Sequence, residues 1–205
     1  MRTIIDNIKS ELFFIEGVAD ISTHEGYKYD YDKRQALFGT RVGPVHSIED
    51  GLLHELAHAV ELKNLEQLKY PNFGLEIKRK VEVLGRVYLE PITWNATKLE
   101  LRTILWQEVL CNVFGIGFDA KKFSTALQYM PDFMCVPIKG YKFDSHLCKY
   151  VNEKGEILEG TLKEKDDLRF QSMYDYMDEQ KASGIYTYPE FRKRWDKAIE
   201  YLEIN

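Results

Sequence analysis

The pattern of hydrophobic and polar positions changes its period along the chain. Residues 2 to 15 follow a helical period and are predicted to form an amphipathic helix with Ile4, Ile5, Ile8, Leu12 and Ile15 on one side. Residues 35 to 42 form the next apolar stretch, a predicted strand. From residue 75 to 89 apolar side chains fall on alternate positions, which predicts one or two strands interrupted near Gly85.

Two further segments have the apolar spacing of buried helices. The first starts after Ser47 and Asp50, which resemble a capping box, and is predicted to run to about Tyr70. The second covers residues 99 to 114, with Asn95 or Thr97 as its predicted N-cap. After Gly117 we expect a short helix from Asp119 to Met130, a hairpin over residues 148 to 162, and helices at about 164 to 182 and 188 to 203.

The first of these buried helices carries His54, Glu55 and His58, an H-E-x-x-H pentapeptide. Residues four apart lie on one face of a helix, so both imidazoles can reach one metal ion. Glu55 would stand beside them as the general base for a water molecule. This spacing predicts a Zn²⁺ site with His54 and His58 as ligands and Glu55 as the catalytic residue.

A catalytic zinc ion usually takes three protein ligands, so a third donor is required. Glu108 is the candidate, because an acid beside Trp106, Val109 and Leu110 is costly to bury unless a cation neutralises it. Asn112, one turn further on, is the predicted outer partner that orients Glu108 or a ligand histidine.

The two motifs together resemble those of zincin metallopeptidases. Glu108-x-x-Cys111-Asn112-x-Phe114-Gly115 is similar to the Glu-x-x-Ala-Asn-x-Phe-Ala signature of the ImmA/IrrE-type intracellular metallopeptidases, and it follows the gluzincin arrangement. The resemblance covers residues 35 to 115. It implies a zinc peptidase, and the gap between His58 and Glu108 is longer here than in that family.

His146 and Tyr141 are alternatives for other roles at the site. His146 could be a third histidine ligand, although the H-x-x-G-x-x-H extension of metzincins is absent after His58. Either residue could instead stabilise the oxyanion formed when water attacks a carbonyl. The other interpretation, which we favour, is that both are surface loop residues.

The expected fold class is α+β and zincin-like, with a metal-binding helix beside a small mixed sheet. We expect a single domain over residues 1 to 205. It contains a metal-site core at 35–117, an insertion at about 70–92 and a C-terminal extension at 118–205. Zincins hold substrate along a sheet edge, and the predicted strand from Gln35 to Val42 is either that strand or an ordinary core strand.

Charge and composition exclude several classes of protein. A formal net charge of −5 argues against a nucleic-acid binder. Three cysteines without C-x-x-C spacing argue against a disulfide framework and a cysteine zinc site. No signal peptide or membrane span is predicted. These features indicate a cytoplasmic protein, whose oligomeric state the sequence does not indicate.

Three functional hypotheses follow. The first is a zinc-dependent metallopeptidase that hydrolyses a peptide bond of an intracellular protein or peptide substrate. The second is a non-catalytic protein-binding module on a zincin-like scaffold, although retention of Glu55 weighs against it, since a binding module needs no base. The third is a helical interaction protein in which the pentapeptide is accidental.

Overall fold

The structure is a computed structural model that describes residues 4–12, 16–18, 28–30, 35–38, 48–67, 78–83, 86–91, 93–144 and 146–204. Helices and short strands are combined in the α+β class, as expected. The helices are α1 (Ile4–Leu12), α2 (Ile48–Gln67), α3 (Trp94–Val113), α4 (Ala120–Ser124), α5 (Leu162–Ala182) and α6 (Tyr188–Ile204). The strands are β1 (Glu16–Val18), β2 (Lys28–Asp30), β3 (Gln35–Phe38), β4 (Lys78–Val83), β5 (Arg86–Pro91), β6 (Lys142–Asp144) and β7 (Lys149–Val151).

The chain divides into two compact units, each assembled from separate segments. The first contains Met1–Gln67, Thr103–Ala120 and Gly184–Asn205, and the second contains Leu68–Arg102 and Lys121–Ser183. Their boundary falls within α3, which is one continuous helix. Each unit takes residues from both the predicted core, 35–117, and the predicted extension, 118–205. The single domain therefore stays a prediction.

In the first unit, a three-stranded mixed sheet packs on α2. Its order is β1-β3-β2, with β3 parallel to β1 and antiparallel to β2. Both β2 and β3 contact α2. Because β3 is paired on both sides, Gln35–Phe38 offers no free edge for a substrate strand. The remaining predicted strand residues, 39–42, and the predicted cap Ser47 lie outside the described part of the chain.

The core of the first unit surrounds α2. Trp106 and Leu110 of α3 and Phe191 and Trp195 of α6 are buried in it. The buried apolar residues of α2 lie on all sides of the helix: Leu52, Leu53, Leu56, Ala57, Ala59 and Val60. A helix that is apolar around most of its circumference is a core helix, so the polar residues it carries are withdrawn from water.

Two side chains of α6 donate hydrogen bonds to the C-terminal end of α1. Trp195 Nε1 donates to the carbonyl oxygen of Leu12 at 2.6 Å, and an Arg192 guanidinium nitrogen donates to that of Glu11 at 2.6 Å. The last carbonyls of a helix lack partners within the helix, so these bonds satisfy the C-terminal end of α1.

In the second unit, β4 and β5 form an antiparallel hairpin, which confirms the strands predicted from alternating hydrophobicity. Gly85, the predicted interruption, lies outside the described residues. The N-cap of α3 is Thr93, because its Oγ1 accepts from Ala96 N at 3.3 Å and the Asp132 carboxylate accepts from Thr93 N at 3.0 Å. The predicted caps Asn95 and Thr97 are therefore wrong, since both lie inside the helix.

The remaining segments of the second unit follow α4 closely. Where one helix from Asp119 to Met130 was predicted, α4 is followed by the 3-10 helix Thr125–Tyr129, and a second 3-10 helix, Pro131–Cys135, lies beyond it. The predicted hairpin over 148–162 is only partly right: β7 pairs with the upstream strand β6, and one bridge joins Val151 to Ile157. The helix α5 begins with a capping box formed by Thr161 and Glu164.

No helix among the described residues is long and apolar enough to cross a membrane.

Candidate metal centre

Three ionisable side chains of α2 are buried in an apolar helix. The exposed fractions of Glu55, His58 and Glu61 are 8%, 6% and 1%. Transfer of ionisable groups from water costs free energy unless hydrogen bonds or opposite charges compensate. Glu55 and His58 are buried and the neighbouring His54 is half-buried. This face of α2 therefore requires hydrogen-bond partners or an opposite charge.

The two histidines of the pentapeptide lie on the same face of α2, as their spacing predicts. Their ring centroids are 4.8 Å apart and the ring planes are almost perpendicular, at 86°. Both rings are therefore close enough to direct one nitrogen each toward a shared ion.

A polar stripe on α3 faces these histidines. Thr103 and Gln107 are both 0% exposed, and buried polar side chains are normally hydrogen-bonded. Thr103 Oγ1 lies 3.3 Å from His58 Nδ1, and Gln107 Oε1 lies 3.0 Å from His54 Nδ1. The Nδ1 atom of each histidine is thus engaged by α3, which makes Nε2 the nitrogen for a metal ion.

The two helices run antiparallel in a regular register. Three contacts join the helices at intervals of four residues: His58 with Thr103, His54 with Gln107, and Asp50 with Cys111. The residue numbers fall along α2 as they rise along α3. At the last step the Cys111 thiol lies 4.0 Å from Asp50 Oδ1. Burial, with the negative charges of Asp50 and Glu108 as lesser causes, raises the pKa of Cys111 to about 12.

The third donor near the histidines is Glu100. Among the described residues, His54, His58 and Glu100 form a group whose possible ligand atoms all lie within 4.8 Å of one another. Ligands bound at about 2.1 Å to a tetrahedral ion lie about 3.4 Å apart, so closing the site requires the side chains to move by about 1 Å. Two imidazoles and a carboxylate are a donor set of catalytic zinc, and the residues therefore fit that ion.

The donor group found among the described residues contains Glu100 and does not include Glu108, the third ligand predicted from the sequence. Seen along α3 from Gln107, Thr103 and Glu100 lie within about 40° of it around the helix axis. Glu108 is turned from Gln107 by about 100° and Asn112 by about 140°. Glu108 is half-buried, and Asn112, the predicted outer partner, is exposed.

The other candidates from the sequence are placed in the second unit. The backbone N–H of His146 donates to the Asp144 carboxylate at 2.9 Å in the exposed turn between β6 and β7. Tyr141 is half-buried and forms an isolated bridge with Ile138. Neither belongs to the donor group found among the described residues. His146 is exposed, whereas Tyr141 is half-buried.

Glu61, one turn beyond His58, is bonded to the same neighbouring helix. Trp106 Nε1 donates to its Oε1 at 2.8 Å, and the Arg194 guanidinium lies 5.1 Å from the centre of the Trp106 ring. This contact ties α2 to α3 within the core.

Sequence reasoning did not select Glu100, Thr103 and Gln107. A signal was available, since these polar residues recur at the helical spacings of three and four within an apolar helix, as a stripe that must face something polar. The residues of α2 and α3 are the whole basis for a functional proposal, because no protein-family model, curated protein or solved structure matches the chain.

Proposed function

We propose that the protein is a zinc-dependent metallopeptidase of the zincin type that hydrolyses a peptide bond of a protein or peptide substrate. Its ligands are His54 and His58 of α2 and Glu100 of α3. Glu55 is the general base. Relative to the gluzincin arrangement inferred from the sequence, the third ligand is on the expected helix but two turns earlier.

One observation carries the proposal: two imidazoles with engaged Nδ1 atoms and a carboxylate from the next helix have their ligand atoms within 4.8 Å. A metal-binding histidine usually donates the N–H of its other ring nitrogen to an oxygen acceptor, which fixes the orientation of the ring. Here that partner comes from the helix that also supplies Glu100. Ligand and ring-orienting partner thus share one rigid element, which is the arrangement a preorganised site requires.

Zinc, when bound, would acidify a water molecule and polarise the carbonyl of the scissile bond. Glu55, next to His54 in the sequence and 8% exposed, takes a proton from the attacking water and transfers it to the leaving nitrogen. The low exposure of Glu55 limits competition from bulk water for that proton. Glu100, His54 and His58 bind and orient, and they transfer no proton.

Metal content and hydrolysis together test this function. We expect about one zinc per chain in the wild type and in Glu55→Gln, because Glu55 is not a ligand. The wild type should cleave a panel of unfolded proteins, with the products identified by mass spectrometry, whereas Glu55→Gln should not. A chelator should abolish the cleavage. The matched control is Glu61→Gln, a second buried acid of α2 outside the donor group.

Wild-type protein without zinc, even after zinc is supplied, would contradict the proposal. Zinc binding without hydrolysis of any member of the panel by the wild type would favour the binding-module alternative. Equal cleavage by wild type and Glu55→Gln would remove Glu55 from its role.

A further inference from the structure

Gln107 is hydrogen-bonded at both ends of its side-chain amide, and both partners lie on α2. Its Nε2 donates to the backbone carbonyl oxygen of Asp50 at 3.0 Å, and its Oε1 lies 3.0 Å from His54 Nδ1. The side chain is 0% exposed. Asp50 and His54 are one helical turn apart, so a single side chain of α3 spans that turn.

This pair of contacts fixes the direction of the amide. A backbone carbonyl oxygen only accepts hydrogen bonds, so the amide nitrogen must face Asp50. The amide oxygen then faces His54, and it too only accepts. His54 Nδ1 must therefore be the donor, and in the neutral ring the lone pair is on Nε2.

Thr103 cannot set the tautomer of His58 in the same way. Its hydroxyl both donates and accepts, so either protonation state of His58 Nδ1 satisfies it. Among the two buried polar residues of α3 that contact the histidines, only Gln107 is directional. Asn112, which the sequence suggested for this task, is exposed.

We propose that Gln107 is a positioning residue of the metal centre: anchored on the Asp50 carbonyl, it holds His54 in the Nδ1–H tautomer and so presents Nε2 to the ion. This inference rests on the proposed function. A free imidazole divides its proton between both nitrogens, and the wrong tautomer must be converted before metal binds. Gln107 removes that cost in the folded apoprotein.

The test uses two substitutions of similar size with opposite expectations. Gln107→Glu loses the donor to the Asp50 carbonyl oxygen but keeps an acceptor for His54 Nδ1, whereas Gln107→Met removes both. Zinc affinity, measured by competition with a chromophoric chelator, should fall about 10- to 100-fold in Gln107→Met and stay within about threefold of wild type in Gln107→Glu. Asn112→Met is the matched control, with wild-type affinity expected.

Nitrogen-15 NMR of the histidine rings in the apoprotein provides a second measurement that needs no metal. His54 should be the Nδ1–H tautomer in wild type and Gln107→Glu, and lose that preference in Gln107→Met. Thermal unfolding of each apoprotein separates this role from a structural one, because loss of packing alone would lower stability and leave the tautomer unchanged.

The two proposals fail in different ways. Absence of zinc binding in the wild type overturns the proposed function, and the role of Gln107 with it. Zinc binding of equal affinity in wild type and Gln107→Met, or an Nε2–H tautomer of His54 in the wild type, overturns only the role of Gln107.

Discussion

His54 Nδ1 lies 3.0 Å from Gln107 Oε1, a contact between residues 53 positions apart that joins the metal-binding helix to its neighbour. One turn away, His58 Nδ1 and Thr103 Oγ1 repeat the pairing at 3.3 Å. Glu100, one turn before Thr103 on α3, completes the donor group of the two histidines. The candidate centre is thus a product of helix register.

Two acidic residues of α3 provide a matched test of the third ligand. Glu100→Ala should weaken zinc binding by more than the roughly 100-fold that loss of an outer partner costs, because it removes a direct donor. Glu108→Ala should leave zinc affinity unchanged. Zinc content after dialysis against a weak chelator measures both, and loss of zinc in Glu108→Ala alone would restore the sequence-based assignment.

The bond between Trp106 and Glu61 should contribute to stability. Trp106→Phe removes the N–H that donates to the Glu61 carboxylate, which is 1% exposed, and loss of a hydrogen bond to a charged group costs roughly 1.5–3 kcal/mol in addition to the lost contacts of the larger ring. Urea denaturation measures the change. Trp94→Phe, at a half-buried tryptophan whose ring packs on Tyr176, is the control. Equal losses in the two variants would mean that the hydrogen bond contributes nothing beyond ring size.

The pKa of Cys111, raised by burial to about 12, makes stability depend on alkaline pH. The unfolded thiol loses its proton near the ordinary pKa of 9.0, whereas the folded one keeps it. Below pH 9 the thiol is protonated in both states, so the free energy of unfolding keeps its full value. Each unit above that should remove about 1.4 kcal/mol until the pH approaches 12.

Denaturation curves of Cys111→Ala between pH 8 and 11 check this expectation. The variant should lose stability less steeply with pH than the wild type does, whatever its stability at pH 8. Cys148→Ala, at an exposed thiol, should keep the wild-type slope. An unchanged slope in Cys111→Ala would show that other groups cause the alkaline loss.

Trp195 on α6 should protect the end of α1. Trp195→Phe leaves the Leu12 carbonyl without its donor, and we expect a loss of about 1–3 kcal/mol with faster hydrogen exchange in α1. Tyr188→Phe removes only an exposed bond to the Glu11 carboxylate and should have little effect. Exchange in α1 that matches the wild type in both variants would contradict this role for Trp195.

The sequence predicted local features better than the pairing of helices. The four-residue spacing of His54 and His58 determined their common face, and alternation predicted β4 and β5. These properties depend on neighbours in the chain, which a sequence displays directly.

The third donor depended instead on a relationship between distant segments. Glu108 was chosen because a buried acid needs a partner and because Asn112 follows it, but neither reason specifies which face of α3 meets α2. That face is determined by the contacts of Thr103 and Gln107 with the histidines. The N-cap was missed for a similar reason, since Thr93 is held by Asp132, 39 residues away.

The register of α2 and α3 determines which insertions and deletions the protein should tolerate. Removing one residue between Thr103 and Gln107 would rotate Gln107 by about 100° relative to Thr103, so that the two residues could no longer face His54 and His58 at the same time. The length of this four-residue interval should therefore be fixed, although single substitutions within it remain possible. Homologues of this protein should conserve the spacing from Glu100 through Thr103 to Gln107, even where the distance between the pentapeptide and α3 differs.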